Sequence, residues 1–151
     1  MNIHADFKLK NRWIMMLSII LFSFATSNLY ADIVIIVHPE NDSALTPGDL
    51  KQIFLQKTKK FPNGEKVLPI NQKFSSDIRQ TIIKKLLRKL PRQDKAYWAN
   101  YQFSGKGSPP RVVKGDEDVI SLVSTNKYSI GYIDKASLND SVKAVYTIST
   151  D

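Results

Sequence analysis

The chain has 151 residues, of which 42% are hydrophobic and 24% are charged. This length fits one globular domain and excludes a multidomain enzyme, because domains usually contain about 100–200 residues. Lysine and arginine outnumber aspartate and glutamate by 22 to 14, which gives a net charge of +8 at pH 7. The sequence contains no cysteine, and this excludes disulfide scaffolds, cysteine-ligated zinc or iron–sulfur sites, and thiol catalysis.

The first 31 residues have the layout of a secretory signal peptide. Basic residues precede an uncharged apolar run, Trp13 to Ala25, and a polar stretch follows it. This run is shorter than the roughly 18 residues that a membrane-spanning helix needs. We therefore predict a signal peptide over residues 1–31 that is cleaved after Ala31, with a cut after Ser27 as the alternative. The mature protein is then expected to have no stable membrane insertion.

The predicted mature chain, residues 32–151, remains basic. It keeps 19 Lys and Arg against 13 Asp and Glu, a net charge of +6. In an exported protein this charge favours anionic small molecules, anionic lipid headgroups or polyanionic polymers as partners, and we expect no nucleic-acid partner. Solubility alone is the alternative explanation for the same charge.

Predicted strands and helices alternate along the mature chain. Ile33 to Val37 is a continuous β-branched run, which is typical of a strand buried on both faces. Thr46 to Asp49 supplies a hydroxyl N-cap, a proline and an acid three residues past the cap, as at the start of a helix. The predicted elements are a strand at 33–37, a helix at 47–55, a strand at 67–70, helices at 76–90, 93–101 and 117–125, and strands at 129–133 and 142–148. This order predicts an α/β fold with a largely parallel sheet.

The predicted helix over residues 76–90 carries the strongest candidate binding site. Arg79 falls among its regularly spaced apolar residues, in the first turn, where a guanidinium needs a partner. The free N–H groups and positive dipole end of this turn, the hydroxyls of Ser75 and Ser76, and the planar fork of Arg79 would together suit an oxyanion. The alternative is that Ser75 only caps the helix, Ser76 occupies its first position and Arg79 pairs with a structural acid.

A run of basic residues offers a second hypothesis from another functional class. Its members are Lys84, Lys85, Arg88, Lys89, Arg92 and Lys95. On a helix these cations form a face opposite the apolar stripe, and such a face could bind an acidic partner in the cell envelope. The protein would then be an interaction module with no dedicated small-molecule ligand. The simpler interpretation is a solvated helix surface.

The mature sequence offers no set of catalytic or metal-binding residues. Its one histidine, His38, has no neighbouring acid or nucleophile motif. Neither paired histidines nor clustered carboxylates with ligand spacing are found. The segment Gly105-Lys106-Gly107 lacks the full pattern of a phosphate-binding loop. We therefore predict a protein that is not an enzyme and needs no metal or cofactor.

Four segments carry a resemblance to a known family. They are LKQIFLQK from Leu50, VLPINQKFSSDIR from Val67, YWANYQFSGKGSPP from Tyr97 and SIGYID from Ser129. In this order they resemble the small exported phosphate ABC transporter substrate-binding-like proteins of Gram-negative bacteria, which are relatives of the type 2 periplasmic binding proteins. The resemblance covers the mature chain from Asp32 to about Tyr146.

The resemblance implies a periplasmic protein in which residues 32–151 form a single type 2 periplasmic-binding-protein-like domain, with a mostly parallel sheet flanked by helices. It also implies phosphate or a related oxyanion as ligand, and it suggests an ABC transporter permease as a partner. In the larger relatives, phosphate lies between two lobes and is held by helix N-termini, hydroxyls, an arginine and an aspartate that accepts the proton of hydrogen phosphate. The mature length leaves material for about one lobe.

The binding signature of the larger relatives is only partly kept here. It reads Arg-x-Asp-Gly-Ser-Gly-Thr, and the matching residues 71–77 retain only the serine, at Ser75. We expect Arg79 to supply the missing guanidinium from one turn further on, whereas the discriminating aspartate has no evident equivalent. The predicted oxyanion-binding residues are Ser75, Ser76 and Arg79, with Asn71, Gln72 and Lys106 as second-rank candidates.

Overall fold

The computed structural model describes residues 32–150, so the predicted signal peptide and its cleavage sites lie outside the described residues. The elements are β1 (Ile33–Val37), α1 (Pro47–Phe54), β2 (Leu68–Gln72), α2 (Asp77–Thr81), a π-helical turn (Ile82–Leu86), α3 (Pro91–Phe103), β3 (Arg111–Val113), α4 (Asp116–Thr125), β4 (Ser129–Asp134), a 3-10 turn (Lys135–Ser137) and β5 (Lys143–Ile148). No helix within this described range is long and apolar enough to cross a bilayer.

The strands of the described chain form one five-stranded sheet in the order β3-β2-β4-β1-β5. β2 runs parallel to both β3 and β4, whereas β1 runs antiparallel to both β4 and β5. Four strands therefore point in one direction and β1 points in the other. This arrangement confirms the predicted α/β fold with a mostly parallel sheet, and it adds one reversed strand that the sequence pattern does not indicate.

Helices cover both faces of the sheet, and β1 contributes to the packing on each side. Ile33, Ile35 and Val37 pack in one hydrophobic cluster with residues of α1 and the π-helical turn. Val34 and Ile36 pack in a second cluster with residues of α4. Successive side chains of a strand point to opposite faces, so the uninterrupted apolar run of β1 follows from its burial between two layers. All five of its residues are buried, as predicted.

The start of α1 confirms the predicted capping box. The hydroxyl oxygen of Thr46 accepts a hydrogen bond from the backbone N–H of Asp49 at 3.2 Å, and the backbone N–H of Thr46 donates to Oδ2 of Asp49 at 2.9 Å. Hydrogen bonds from the hydroxyl and backbone of Thr46 lower the pKa of the Asp49 carboxyl below its usual range. The helix itself ends at Phe54, one residue before the predicted end.

α4 lies unusually close to β4 at Gly131. A Cβ atom at this position would overlap Cγ1 of Val119, a fully buried side chain of α4. Val119 belongs to the hydrophobic cluster between the sheet and α4, and Gly131 borders this cluster. Glycine at position 131 is therefore needed for the close approach of helix and strand rather than for an unusual backbone conformation.

The predicted helix over residues 76–90 is wrong in its second half. α2 passes directly into the π-helical turn, and the backbone then enters the left-handed region at Arg88, with φ 52°. Pro91 is the first residue of the next helix, α3. Leu86 and Leu87 remain buried. Their helical spacing in the sequence therefore predicted burial correctly, although the backbone there is not α-helical.

This break also disperses the predicted basic face. Two of its cations lie on the π-helical turn (Lys84, Lys85), two in the connection to α3 (Arg88, Lys89) and two on α3 (Arg92, Lys95). Nζ of Lys85 donates to the carbonyl oxygen of Ser149 at 2.7 Å, and Nζ of Lys89 lies over the ring of Tyr97 at 5.0 Å from its centroid. The cations therefore do not form one continuous helix face, because no single helix carries them.

Candidate functional site

A cavity of about 370 Å³, open to solvent, lies beside the carboxyl end of β2, between α3 and the edge strand β3. We call it the Arg79 cavity. Its lining residues are Asn71, Gln72, Phe74, Arg79, Asp94, Lys95, Trp98, Ala99, Gln102, Pro109 and Val112. Ligands of open α/β sheets bind in crevices outside the carboxyl ends of the strands, so this cavity occupies the expected end of the sheet.

A buried ion pair forms the most polar part of the lining. Nη2 of Arg79 lies 2.7 Å from Oδ2 of Asp94, and the two side chains are 4% and 2% exposed. Nη1 of Arg79 donates to Oδ1 of Asn71 at 3.0 Å. The guanidinium therefore has the partner that its place among apolar residues requires. Because both charges are removed from water, each depends on the other for its stability in the interior.

Tyr132 of β4 connects this pair to the middle of the sheet. Its hydroxyl donates to Oδ1 of Asn71 at 3.2 Å and accepts from the backbone N–H of Gln72 at 3.0 Å. Asn71 thus accepts hydrogen bonds from both Arg79 and Tyr132, which fixes the orientation of the guanidinium. Burial raises the pKa of the Tyr132 hydroxyl, and the charge of nearby Arg79 partly opposes this effect.

The buried Tyr132 hydroxyl predicts a loss of stability at alkaline pH. Its pKa is higher in the folded chain than in the unfolded chain, where it is about 10. The neutral phenol therefore contributes its full stability below pH 10 and loses it as the pH rises through the folded-state pKa. We expect the free energy of unfolding to fall less steeply above pH 10 in Tyr132→Phe than in the wild type. Urea denaturation at a series of pH values measures both slopes.

A matched variant separates this network from a general effect of tyrosine. Tyr128→Phe removes a hydroxyl that lies outside the network around Arg79, and it is the control for the loss of a phenol elsewhere in the chain. Equal slopes for wild type and Tyr132→Phe would contradict the assignment.

Two buried polar atoms of the cavity residues have no hydrogen-bond partner in the part of the chain that the structure describes. They are Oδ1 of Asp94 and Nε1 of Trp98, in residues that are 1% and 8% exposed. Four positions separate these residues on α3, which places them on one helix face. One atom accepts and the other donates. Unpaired buried groups are destabilising by about 1–3 kcal/mol each, so both atoms favour a partner that the described residues do not supply.

The sequence did not single out Asp94. It lies in the first turn of α3 after Pro91, a common place for an acid at the start of a helix. That position explains an acidic residue without indicating burial or contact with Arg79. A search for an acid able to reach Arg79 would have had to pair two segments that the sequence presents as separate helices.

The structure brings together three of the six predicted site residues. Asn71, Gln72 and Arg79 line the Arg79 cavity, whereas the serines and Lys106 are not among its lining residues. Ser76 is the N-cap of α2, and its hydroxyl accepts from the backbone N–H of Arg79 at 3.2 Å. Ser75 is exposed. Lys106 lies in a separate open groove of about 690 Å³ between the ends of α1 and α3.

The N-terminus of α4, near the carboxyl ends of β2 and β4, already holds a carboxylate of the chain. Oδ1 of Asp116 accepts from Nε2 of Gln72 at 2.7 Å, and its Oδ2 accepts from the backbone N–H of Asp134 at 3.1 Å and from the Ser137 hydroxyl at 2.7 Å. Two more acids follow Asp116 in this turn. An external anion is therefore disfavoured there. In residues 32–150, no cluster of three or more acids and histidines is placed to hold a metal ion.

Comparison with known proteins gives matches among solved structures only. No protein-family model and no curated protein sequence matches the chain. A putative phosphate ABC transporter substrate-binding protein from Clostridium perfringens, solved with bound phosphate, superposes with a TM-score of 0.59 and 22% identity over 76% of this chain and 45% of its own. An ABC-type phosphate transport receptor from Vibrio cholerae gives 0.60 and 21%, over 76% and 46%. PstS from Borrelia burgdorferi gives 0.55 and 22%, over 76% and 47%.

These superpositions confirm the predicted resemblance at the level of the fold. Identities of 21–22% show a shared architecture and do not show a shared ligand. The chain also spans less than half the length of the structures it matches. It has the α/β fold of the phosphate ABC transporter substrate-binding proteins, over a part of their length.

Proposed function

We propose that this protein is a non-enzymatic, periplasmic solute-binding-like protein that binds phosphate or a related oxyanion in the Arg79 cavity. The observation that carries the proposal is the buried Arg79–Asp94 pair, with an unpaired acceptor on Asp94 and an unpaired donor on Trp98 beside it. The fold it shares with a phosphate-bound transporter protein supports the same ligand class. Export through a signal peptide over residues 1–31, cleaved after Ala31, and an ABC transporter permease as partner complete the proposal.

Hydrogen phosphate matches the hydrogen-bonding groups of this cavity. Its protonated oxygen can donate to Oδ1 of Asp94, and its other oxygens can accept from Nε1 of Trp98. The guanidinium of Arg79 uses two of its five N–H donors on Asn71 and Asp94 within the described chain. The remaining donors can form charge-assisted hydrogen bonds to the anion.

Sulfate is the informative competitor, because it has the same shape but no proton at neutral pH. Bound in the same position, sulfate would place an unprotonated, negatively charged oxygen against the carboxylate of Asp94. Two negative charges in direct contact repel each other. We therefore expect the cavity to prefer phosphate. Among the residues predicted from the sequence, this proposal rests on Asn71, Gln72 and Arg79. Ser75, Ser76 and Lys106 lie outside the cavity.

Calorimetric titration of the protein, expressed from its full-length sequence, purified from the cell envelope and freed of bound anions, tests this function. We expect saturable 1:1 binding of phosphate at both roughly 0.05 and 0.5 M salt, because buried charges are little screened. Sulfate should bind at least about tenfold more weakly, a difference of about 1.4 kcal/mol.

The matched variants are Arg79→Met/Asp94→Leu and Lys84→Met. The first removes the buried pair without changing the net charge and is expected to abolish phosphate binding. The second removes one exposed cation of the π-helical turn and should bind as the wild type does. Phosphate binding that the double variant keeps, or binding heat that disappears as salt is added, would show diffuse electrostatic attraction instead of a site.

A further inference from the structure

The Arg79 cavity is larger than an inorganic oxyanion requires. Its volume of about 370 Å³ lies within the range of about 300–1,000 Å³ that is usual for sites of organic small molecules. Phosphate has only five heavy atoms. An anion held at Arg79 and Asp94 would therefore leave most of the cavity for a further part of the same ligand.

The rest of the lining is suited to an apolar group. Phe74 and Pro109 are half-buried, and Val112 is 56% exposed on the edge strand β3. These side chains line the same cavity as the buried ion pair. The lining thus combines a deeply buried polar part with a more exposed apolar part. Sites for organic ligands have this composition, in which a few polar groups orient the ligand and apolar walls contact its body.

The charges of the lining fit one anionic head. Arg79 and Lys95 are its cations and Asp94 is its acid, which leaves one net positive charge. Nζ of Lys95 lies 4.5 Å from the ring centroid of Phe74, so the second cation is held at the border between the polar and apolar parts. The head of a phosphate monoester or a phosphonate that keeps one proton carries one negative charge and balances this lining.

Building on the proposed function, we propose that the ligand is an organic phosphorus oxyanion, either a phosphate monoester or a phosphonate with a compact apolar substituent. The head binds at Arg79 and Asp94. The substituent packs against Phe74, Pro109 and Val112. Inorganic phosphate then fills only the polar part of the cavity and is the weaker ligand.

The test compares inorganic phosphate with phenylphosphonate and phenyl phosphate by calorimetric titration of the same purified protein. We expect both organic probes to bind at least tenfold more tightly than phosphate, and excess phosphate to displace them. Phenyl phosphate has an oxygen between phosphorus and the ring, whereas phosphorus is bonded directly to the ring in phenylphosphonate, so their relative affinities tell a phosphonate site from a monoester site.

The variant that tests the placement of the substituent is Val112→Asn, and its matched control is Leu138→Asn. Both change an exposed apolar residue, but Leu138 follows the 3-10 turn and is not a cavity residue. We expect Val112→Asn to reduce the preference for phenylphosphonate over phosphate by about three- to fivefold, and Leu138→Asn to keep it.

Three results would overturn the inference. Binding of phosphate with equal or weaker binding of both organic probes would reject an organic ligand and leave the proposed function in place. Absence of binding by all three anions would reject the proposed function as well. A tenfold preference for the organic probes that Val112→Asn leaves unchanged would show that the substituent does not pack against this wall.

Discussion

Arg79→Met is expected to lower the free energy of unfolding by about 3–5 kcal/mol, because it leaves a buried carboxylate without its counter-ion. Asp94 is 1% exposed, so the wild-type packing leaves its carboxylate little contact with water. Oδ1 of Asn71 also loses a donor. Urea denaturation followed by circular dichroism measures the change. Asp94→Leu should destabilise the protein by a similar amount, since it strands the positive charge instead.

The double variant Arg79→Met/Asp94→Leu is expected to recover most of this loss. Apolar side chains of similar volume in place of a buried ion pair are often neutral or stabilising, because neither charge then has to be removed from water. We expect the double variant to unfold within about 1–2 kcal/mol of the wild type. If instead its loss equalled the sum of the two single losses, Arg79 and Asp94 would not act as a pair. A folded double variant also makes its loss of phosphate binding a statement about the site rather than about folding.

Gly131→Ala has the second largest expected effect, a loss of about 3 kcal/mol in the free energy of unfolding. The added Cβ atom would overlap Cγ1 of Val119. Val119 is fully buried and β-branched, so its side chain has few alternative rotamers. Relief would have to come from a shift of α4 away from β4. Thermal or urea denaturation measures the effect.

Two further variants identify this clash as the cause. Val119→Ala alone should cost about 2 kcal/mol through the buried methyl groups it removes. Combined with Gly131→Ala it should cost at least about 1 kcal/mol less than the sum of the single losses, because it deletes the overlapping atom. Gly48→Ala is the control: its Cβ would lie 3.6 Å from Oγ1 of Thr46, an ordinary contact, and alanine in α1 should be neutral or stabilising. Strict additivity at positions 119 and 131 would rule out the steric explanation.

Local sequence signals predicted the first elements well. The bounds of β1 agree with the apolar run Ile33 to Val37, because a strand between two helical layers needs apolar residues at every position. The start of α1 follows from Thr46, Pro47 and Asp49, whose side chains and ring act within a single turn. Signals of this kind involve neighbours in the chain and can be read without knowing the fold.

The errors of the sequence-based prediction arise where residues are buried as a helix would bury them but the backbone is not α-helical. Leu86 and Leu87 continue the apolar spacing of a helix, yet the backbone passes through a π-helical turn and reaches a positive φ at Arg88. β3 was missed because Arg111, Val112 and Val113 form a short edge strand with no fully buried residue, so no alternation of buried and exposed residues marks it. The reversed direction of β1 depends on the path of the whole chain.

Of the buried ion pair, only Arg79 was predictable from the sequence. The helical wheel placed Arg79 among apolar residues, which required a buried partner. The partner, Asp94, comes from another helix, and its acidic first turn looks like an ordinary helix start. Trp98 packs edge-on against Tyr97 and Tyr101, as a core aromatic residue does. Only the three-dimensional structure shows that its Nε1 is unpaired.

The place of β1 in the sheet has a consequence for the order of folding. β1 is the first strand of the described chain, yet its two neighbours are the last two strands, β4 and β5. Pairings between segments that are distant in the sequence form slowly, because the chain loses conformational entropy before the new contacts stabilise it. Until β5 has paired with β1, one edge of β1 stays open for pairing with other chains. β1 consists only of isoleucine and valine. The last strand thus protects the first, and a chain that ends before Lys143 would be prone to aggregate through β1.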